Sequence, residues 1–219
     1  MNKVLIISPH PDDETLGAGG TLLRHKERGD YLYWCNITDM KEEYGFSKEA
    51  VRNRQEEIER VINAYNFEYF FNLKLKPARL TESDVPMLIE KLSEIINKIK
   101  PEIMYIPFFA DAHSDHRIVF QSLQPFSKSF RYPFIRRILL MEIISETDGQ
   151  FIDIFRPNVF VDISDFIEKK LKIISLYKTE TRDHPFPRNL ENIKNFAFYR
   201  GSQCNCMFAE SFMLLKEVW

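Results

Sequence analysis

The sequence predicts an α/β fold, a doubly wound and mostly parallel Rossmann-like sheet with helices on both faces. Short apolar runs alternate along the chain with longer amphipathic segments of helical period, which is the pattern of strands joined by crossover helices. The apolar runs are rich in β-branched residues, as strands buried on both faces are. Clusters of histidine and aspartate directly follow two of these runs, at the edge of the sheet where such folds bind ligands.

The first three elements follow from local composition. Residues 3–8, Lys-Val-Leu-Ile-Ile-Ser, form a continuous apolar run and are the first predicted strand. A helix is predicted over residues 15–28, and Gly29 is the residue type that commonly ends a helix. Residues 31–38 are the second predicted strand.

The middle of the chain continues the alternation. Residues 48–65 carry apolar side chains at helical spacing, and Ser47 is the predicted N-terminal cap of that helix. A weakly alternating strand is predicted over residues 67–75. A strongly amphipathic helix follows over residues 84–100, and Pro101 ends it.

The last elements are less sharply marked. A serine, Ser164, is the predicted cap of the helix that it begins, and the chain beyond residue 179 is loop-rich until a segment at residues 191–199. The other predicted elements are strands at residues 103–108, 137–144 and 158–163, and helices at residues 117–129 and 164–177.

Composition describes an ordinary globular protein, and we expect residues 1–219 to form one domain. The net charge of −2 argues against nucleic acid as a partner, and no apolar stretch is long enough to span a membrane. Three cysteines, Cys35, Cys204 and Cys206, are too few for a disulfide framework and predict a cytoplasmic protein. His25 is predicted to lie at the surface or at the negative end of the first helix. The oligomeric state stays open, a homo-oligomer included.

Two polar segments carry the functional signal. Residues 8–15, Ser-Pro-His-Pro-Asp-Asp-Glu-Thr, follow the first strand, and residues 111–116, Asp-Ala-His-Ser-Asp-His, follow the strand at 103–108. Either segment alone is compatible with a capped turn. Both together, at the ends of two buried strands, favour a shared site.

The residue types in these segments predict a metal-dependent hydrolase. Open catalytic zinc sites use three protein ligands and leave a fourth position for water. His10 and Asp13, three residues apart across a turn, can bind one ion, and His113 or His116 supplies the third ligand. Asp12 is the expected general base. The remaining histidine, when protonated, is suited to stabilise an oxyanion or to protonate a departing amine.

Three motifs resemble the hallmarks of the LmbE-like, PIG-L-type family of zinc-dependent de-N-acetylases. They are His10-Pro-Asp-Asp-Glu14, Leu16-Gly-Ala-Gly-Gly20 and His113-Ser-Asp-His116. The resemblance runs nearly end to end, since Arg54 and Glu57 match an Arg-x-x-Glu pair and the closing segment matches at Arg200-Gly201 and Ala209-Glu210-Ser-Phe212. It implies removal of an acetyl group from an N-acetylglucosamine-type sugar or sugar conjugate.

The resemblance also assigns residues to roles. It makes His10, Asp13 and His116 the zinc ligands, Asp12 the general base, and His113 a catalytic histidine that stays off the metal.

Further residues are assigned to catalysis and to substrate binding. Asp115 joins the catalytic residues, and Arg54, Glu14, Arg200 and His184 are expected to bind the substrate. Arg188, in the same loop as His184, is a second candidate for the rim of the site.

The chain departs from the family pattern at one informative place. The family often ends a late helix in a Ser-Gln pair, and here Tyr177-Lys-Thr-Glu180 stands in that place. Two functions are alternatives to an amino-sugar de-N-acetylase: a zinc hydrolase of another amide or ester, and a catalytically silent metal-binding or sugar-binding module. Iron or cobalt would also suit two histidines and a carboxylate.

Overall fold

The computed structural model describes residues 1–149 and 151–219. In the described residues the strands are β1 (Lys3–Ser8), β2 (Tyr31–Thr38), β3 (Tyr69–Leu75), β4 (Ile103–Ile106), β5 (Arg137–Met141), β6 (Val159–Asp162) and β7 (Ala209–Glu217). The α-helices are α1 (Asp13–Glu27), α2 (Lys48–Tyr65), α3 (Val85–Ile99), α4 (Ser114–Leu123), α5 (Ile167–Ile174) and α6 (Leu190–Gln203).

All seven of these strands join one sheet in the order β3-β2-β1-β4-β5-β7-β6. The pairings β3-β2, β2-β1, β1-β4 and β4-β5 are parallel, whereas β7 runs antiparallel to both β5 and β6. The predicted mostly parallel, doubly wound sheet is confirmed. Its strand order reverses between β1 and β4, and the two polar segments follow these two strands.

Helices cover both faces of the sheet, because successive residues of the central strand β1 point to opposite sides. Val4 and Ile6 pack into a core with residues of α1, α2 and α5. Leu5 and Ile7 pack into a second core with α3 and α4. All four side chains are fully buried, as expected of a strand with helices on both sides.

Several predicted boundaries are confirmed and several are wrong. Ser47 caps α2 by accepting a hydrogen bond from the Ala50 amide at 3.1 Å, and Gly29 follows α1 with φ of 81°. Helix α4 begins at Ser114, not at residue 117, because the histidine before it caps the helix. Ser164 does not cap α5; its hydroxyl is 2.6 Å from Asp162 instead.

Helix α1 is bent at Ala18, where φ is −146°, and two distant residues hold the bend. The buried Glu210 carboxylate of β7 accepts hydrogen bonds from the amides of Gly20, at 2.8 Å, and Thr21, at 2.7 Å. The Lys170 ammonium lies 2.6 Å from Glu210 and donates to the Leu16 carbonyl at 2.9 Å. This ion pair fixes the helix whose first residues reach the polar segment after β1.

The C-terminal strand β7 was not predicted as a strand. It covers the segment that carries Glu210 and supplies the antiparallel link between β5 and β6. Of the two positions predicted for His25, the last turn of α1 is where it lies, and the surface is wrong. The ring is buried, 2.7 Å from Asp30 and 2.9 Å from the Tyr105 hydroxyl. No helix of the described residues is both long enough and apolar enough to cross a bilayer. The single-domain organisation stays a prediction.

Candidate active site

The loop after β1 turns sharply into α1 and brings three polar side chains together. Asp13 accepts a hydrogen bond from the His10 amide at 2.9 Å, which closes the turn. Asp12 has φ of 131°, a conformation that non-glycine residues rarely adopt and that is costly. Glu14, fully buried, accepts a hydrogen bond from the Asp12 amide at 3.0 Å and from the Tyr177 hydroxyl at 2.9 Å. The surroundings therefore hold Asp12 in a strained position.

The loop after β4 leads into α4 and supplies the other half of the site. His113 is the N-terminal cap of this helix, since its Nδ1 accepts a hydrogen bond from the Asp115 amide at 3.1 Å. His116 lies in the first turn of α4 and is fully buried. The helix start, three residues earlier than predicted, turns His116 inward toward the loop after β1.

Three donor atoms converge between the two loops. Asp13 Oδ2 lies 3.5 Å from His10 Nδ1 and 3.3 Å from His116 Nε2, and the two nitrogens are 3.4 Å apart. Atoms that share a zinc ion in tetrahedral geometry, at about 2.0–2.2 Å each, are about 3.4 Å from one another. Asp13 Oδ1 is also buried without a hydrogen-bond partner. Both observations fit a divalent cation held by His10, Asp13 and His116.

Two carboxylates face the other nitrogens of the two ligand histidines. His116 Nδ1 lies 2.8 Å from Asp111, and His10 Nε2 lies 3.0 Å from Asp115. A carboxylate partner keeps the proton on the nitrogen that it faces, so the opposite nitrogen presents its lone pair to the cation. Asp111 belongs to the second polar segment, but no role was predicted for it. The available signal was an aspartate five residues before a ligand histidine.

Asp115, assigned to the catalytic group, is placed as the partner of His10. Its two oxygens also accept hydrogen bonds from the amides of Ala78, at 2.7 Å, and Leu80, at 3.0 Å, in the loop before α3. A second group of possible donors, His10 with His113 and Asp115, is therefore less suited to a cation. Asp115 already accepts three hydrogen bonds, and Nδ1 of His113 already caps a helix.

The carboxylates make the two ligand histidines strongly basic. Burial alone would lower the pKa of His10, but hydrogen bonds to Asp115 and Asp13 outweigh it and raise the pKa to about 9. Burial is likewise outweighed at His116, where Asp13 and Asp111 raise the pKa to about 10. The pocket is built for positive charge, and a cation would replace those protons.

Arg188 reaches Asp12 from the loop before α6. Its guanidinium donates to Asp12 at 2.6 Å, to Glu146 at 2.7 Å and to the Ser145 hydroxyl at 2.8 Å. Burial and the neighbouring Asp13 carboxylate raise the pKa of Asp12, and Arg188 opposes that rise. Arg188 therefore favours the ionised form that a general base needs.

His113 lies outside the three donor atoms of His10, Asp13 and His116, which we call the donor triangle. Burial and the nearby rings of His10 and His116 lower the pKa of His113 to about 4. Because Nδ1 accepts a hydrogen bond, the proton of the neutral ring is on Nε2. A neutral His113 can therefore still donate a hydrogen bond.

A cavity of about 270 Å³ opens beside these residues, a volume near the lower end of small-ligand sites. Arg54 lies in its wall, donating to the Pro11 carbonyl at 3.0 Å and to the Thr179 hydroxyl at 3.0 Å, and pairing with Glu180. The lining also includes the following residues: His10, Asp12, Thr38, Asp39, Met40, Phe46, Pro77, Ala78, His113, Glu146 and Arg188.

Three residues assigned to the substrate do not line this cavity. Arg200 pairs with Glu142 beside the bend of α1. His184 is exposed, and its neighbour Arg188 occupies the cavity wall instead. Glu14 is buried behind Asp12.

Comparison with known proteins gives one family. The family described as PIG-L: GlcNAc-PI de-N-acetylase matches residues 5–125, more than half of the 219 residues. This range contains both polar segments and the whole donor triangle.

Similar proteins carry related names. The chain is 25% identical to a diacetylchitobiose deacetylase of Thermococcus kodakarensis, over 100% of this chain and 85% of that protein. It is also 25% identical to a probable N-acetyl-alpha-D-glucosaminyl L-malate deacetylase 2 of Bacillus cereus, over 81% of this chain and 83% of that protein. The structure of N,N'-diacetylchitobiose deacetylase from Pyrococcus horikoshii shares the fold, with a TM-score of 0.78, 23% identity, and coverage of 98% of this chain and 84% of that one.

Proposed function

Because the chain belongs to the PIG-L family of GlcNAc-PI de-N-acetylases, we propose that it is a zinc-dependent enzyme that removes the acetyl group from an N-acetylglucosamine-type sugar or sugar conjugate. The observation that carries the proposal is the donor triangle of His10, Asp13 and His116 next to a buried, arginine-paired Asp12. A zinc ion held there would supply Lewis acidity and would lower the pKa of the attacking water.

Asp12 acts as general base in this proposal. One carboxylate oxygen is held by Arg188, and the other takes a proton from the water that attacks the acetamide carbonyl. The same carboxylic acid then gives the proton to the sugar nitrogen as the carbon–nitrogen bond breaks. The products are acetate and the free amine. The strained backbone of Asp12 and its hydrogen bond to Glu14 fix the base before substrate binds.

His113 stabilises the negative charge that develops on the carbonyl oxygen. Its neutral ring donates from Nε2, while the hydrogen bond from the Asp115 amide fixes the ring at the start of α4. The protonated form expected from the sequence is not needed for this role, since a neutral N–H group also stabilises an oxyanion.

Arg54 is the substrate-binding residue that the cavity supports. It is buried, and its bond to the Pro11 carbonyl ties the loop after β1 to α2. We assign the second N–H of its Nη1 to a sugar hydroxyl, since Nη2 is occupied by Thr179 and Glu180 and Nε faces Glu57. The proposal also includes a cytoplasmic location, which suits a chain whose three cysteines are all free.

Acetate release by the zinc-loaded protein tests the function. The wild type should release acetate from N-acetylglucosamine glycosides, and Asp12→Asn should reduce kcat by about 100-fold or more because the base is lost. Asp12→Asn should retain zinc, measured by elemental analysis, because the donor triangle is intact.

The matched control is Asp165→Asn, which removes an exposed carboxylate that does not line the cavity and should leave the rate unchanged. Equal rates for wild type and Asp12→Asn would remove Asp12 from its role. Release of no acetate from any acetamido sugar would refute the proposed function.

A further inference from the structure

The charges that line the cavity are unequal in number. Among the described residues, the arginines that line the cavity are Arg54 and Arg188. Four carboxylates share the same lining: Asp12, Asp39, Glu146 and Glu180. A binding site for an anionic group would need the opposite balance, with donors whose positive charge is uncompensated.

Both guanidinium groups are already paired with carboxylates. Arg54 contacts Glu180 and lies 3.4 Å from Glu57. Arg188 lies 2.6 Å from Asp12, 2.7 Å from Glu146 and 3.8 Å from Glu180. Each arginine therefore faces at least two acidic side chains, and neither has net positive charge to offer.

Asp39 adds a carboxylate at the end of β2. It is buried, and its oxygens accept hydrogen bonds from the Met40 amide at 2.7 Å and the Asn72 side chain at 2.6 Å. Within residues 1–149 and 151–219, no basic side chain forms an ion pair with it. Its remaining lone pairs can accept hydrogen bonds from neutral hydroxyls.

Glu180 is the lining carboxylate that faces both arginines. It lies in the cavity wall and carries a negative charge, where a glutamine of the same shape would be neutral. The carboxylate lies between the two arginines, within contact of Arg54 and 3.8 Å from Arg188. It neutralises the pair of cations that an anionic substrate would otherwise meet.

We propose that the cavity selects uncharged N-acetylated amino sugars and disfavours conjugates that carry a phosphate or carboxylate beside the acetamido sugar. Neutral hydroxyls can bond to the paired side chains, whereas an anion would be desolvated next to surplus carboxylates. A zinc ion held by His10, Asp13 and His116 would add one net positive charge, because Asp13 offsets one of its two charges, and the four lining carboxylates would still exceed the positive charges. The inference rests on the proposed function and narrows its substrate.

Two sugars that differ only at the anomeric substituent test the inference. The zinc-loaded protein is given methyl N-acetylglucosaminide or N-acetylglucosamine 1-phosphate at low salt, and acetate release is measured. We expect kcat/KM to be at least about tenfold higher for the methyl glycoside. Methyl phosphate added to the methyl glycoside reaction checks that phosphate does not remove the metal.

The outcomes separate the two claims. An equal or higher kcat/KM for the phosphate would overturn the charge preference while leaving the deacetylase function in place. Acetate from neither sugar, nor from other acetamido sugars, would overturn the proposed function and the inference with it.

A variant identifies the residue responsible. Glu180→Gln should raise the ratio of kcat/KM for the phosphate over that for the methyl glycoside by about fivefold or more, because Arg54 and Arg188 lose a carboxylate that they share. Glu59→Gln removes one charge from the exposed side of α2 and should leave that ratio within about twofold, the scale expected of a screened surface charge. An unchanged ratio in a folded Glu180→Gln protein would exclude Glu180 as the determinant.

Discussion

Buried histidine–aspartate pairs occur at both ends of the sheet, but the ring nitrogen that does not face the aspartate has different surroundings at the two ends. At the end opposite the cavity, His25 has both ring nitrogens occupied, one by Asp30 and the other by the Tyr105 hydroxyl. At the cavity, the nitrogens of His10 and His116 that do not face Asp115 and Asp111 converge on one another.

The difference between the two ends lies in the atoms left without partners. The cavity end also contains Asp13 Oδ1, a buried oxygen with no hydrogen bond, whereas the His25 network uses every ring nitrogen that it buries. A histidine–aspartate pair is therefore not a mark of function by itself. Convergent lone pairs that no protein donor satisfies are the mark of a cation site.

Removing the aspartate partners should have the largest effect on the difference between the two ends. Asp111→Asn and Asp115→Asn should each weaken zinc binding by about 10–100-fold, because the ligand histidines lose the partners that orient them. Asp30→Asn removes the equivalent aspartate at the other end, and we expect it to lower the free energy of unfolding without changing zinc affinity. Competition titrations with a chelator measure the affinities, and similar losses in all three variants would contradict the distinction.

A smaller effect is expected on the pH dependence of the free energy of unfolding, through His25. Burial lowers the pKa of His25, against the opposing effect of Asp30, so the folded protein prefers the neutral ring. The unfolded chain, with an ordinary histidine pKa near 6.5, takes up a proton first as the pH falls. The contribution of His25 to the free energy of unfolding is therefore complete above that value and is lost as the pH decreases toward the folded pKa.

The variant His25→Gln isolates this effect, because it keeps polar contacts and does not titrate. Its free energy of unfolding should fall less than that of the wild type between pH 7.5 and 5.5, as measured by urea denaturation of the metal-free proteins. The histidines at the cavity titrate in both proteins and cancel in the difference. Identical pH slopes would show that His25 is not held in its neutral form.

The sequence predicted those parts of the site that lie close together along the chain. His10, Asp12 and Asp13 share one loop, His113 and His116 share another, and the strand pattern was enough to place both loops at one sheet edge. The shared edge follows from strand order, which the alternation of strands and helices constrains.

The parts that escaped prediction depend on long-range contacts. Arg188 was a candidate for the rim of the site, but its contact with Asp12, across 176 positions of sequence, was not predicted. The contact of Glu210 with Gly20, across 190 positions, was not predicted either. No local periodicity reports such contacts. Strand β7 also went unpredicted, because its apolar residues do not alternate cleanly. Arg200 and His184 were assigned by resemblance alone, and the structure places neither at the cavity.

The most direct test of the account is a crystal structure of the wild-type protein with anomalous scattering recorded at the zinc edge. We expect one zinc ion per chain, bound by His10 Nδ1, Asp13 and His116 Nε2, with His113 outside the coordination sphere. An ion held by His10, His113 and Asp115, or a fully loaded crystal with no ion between the two loops, would contradict it.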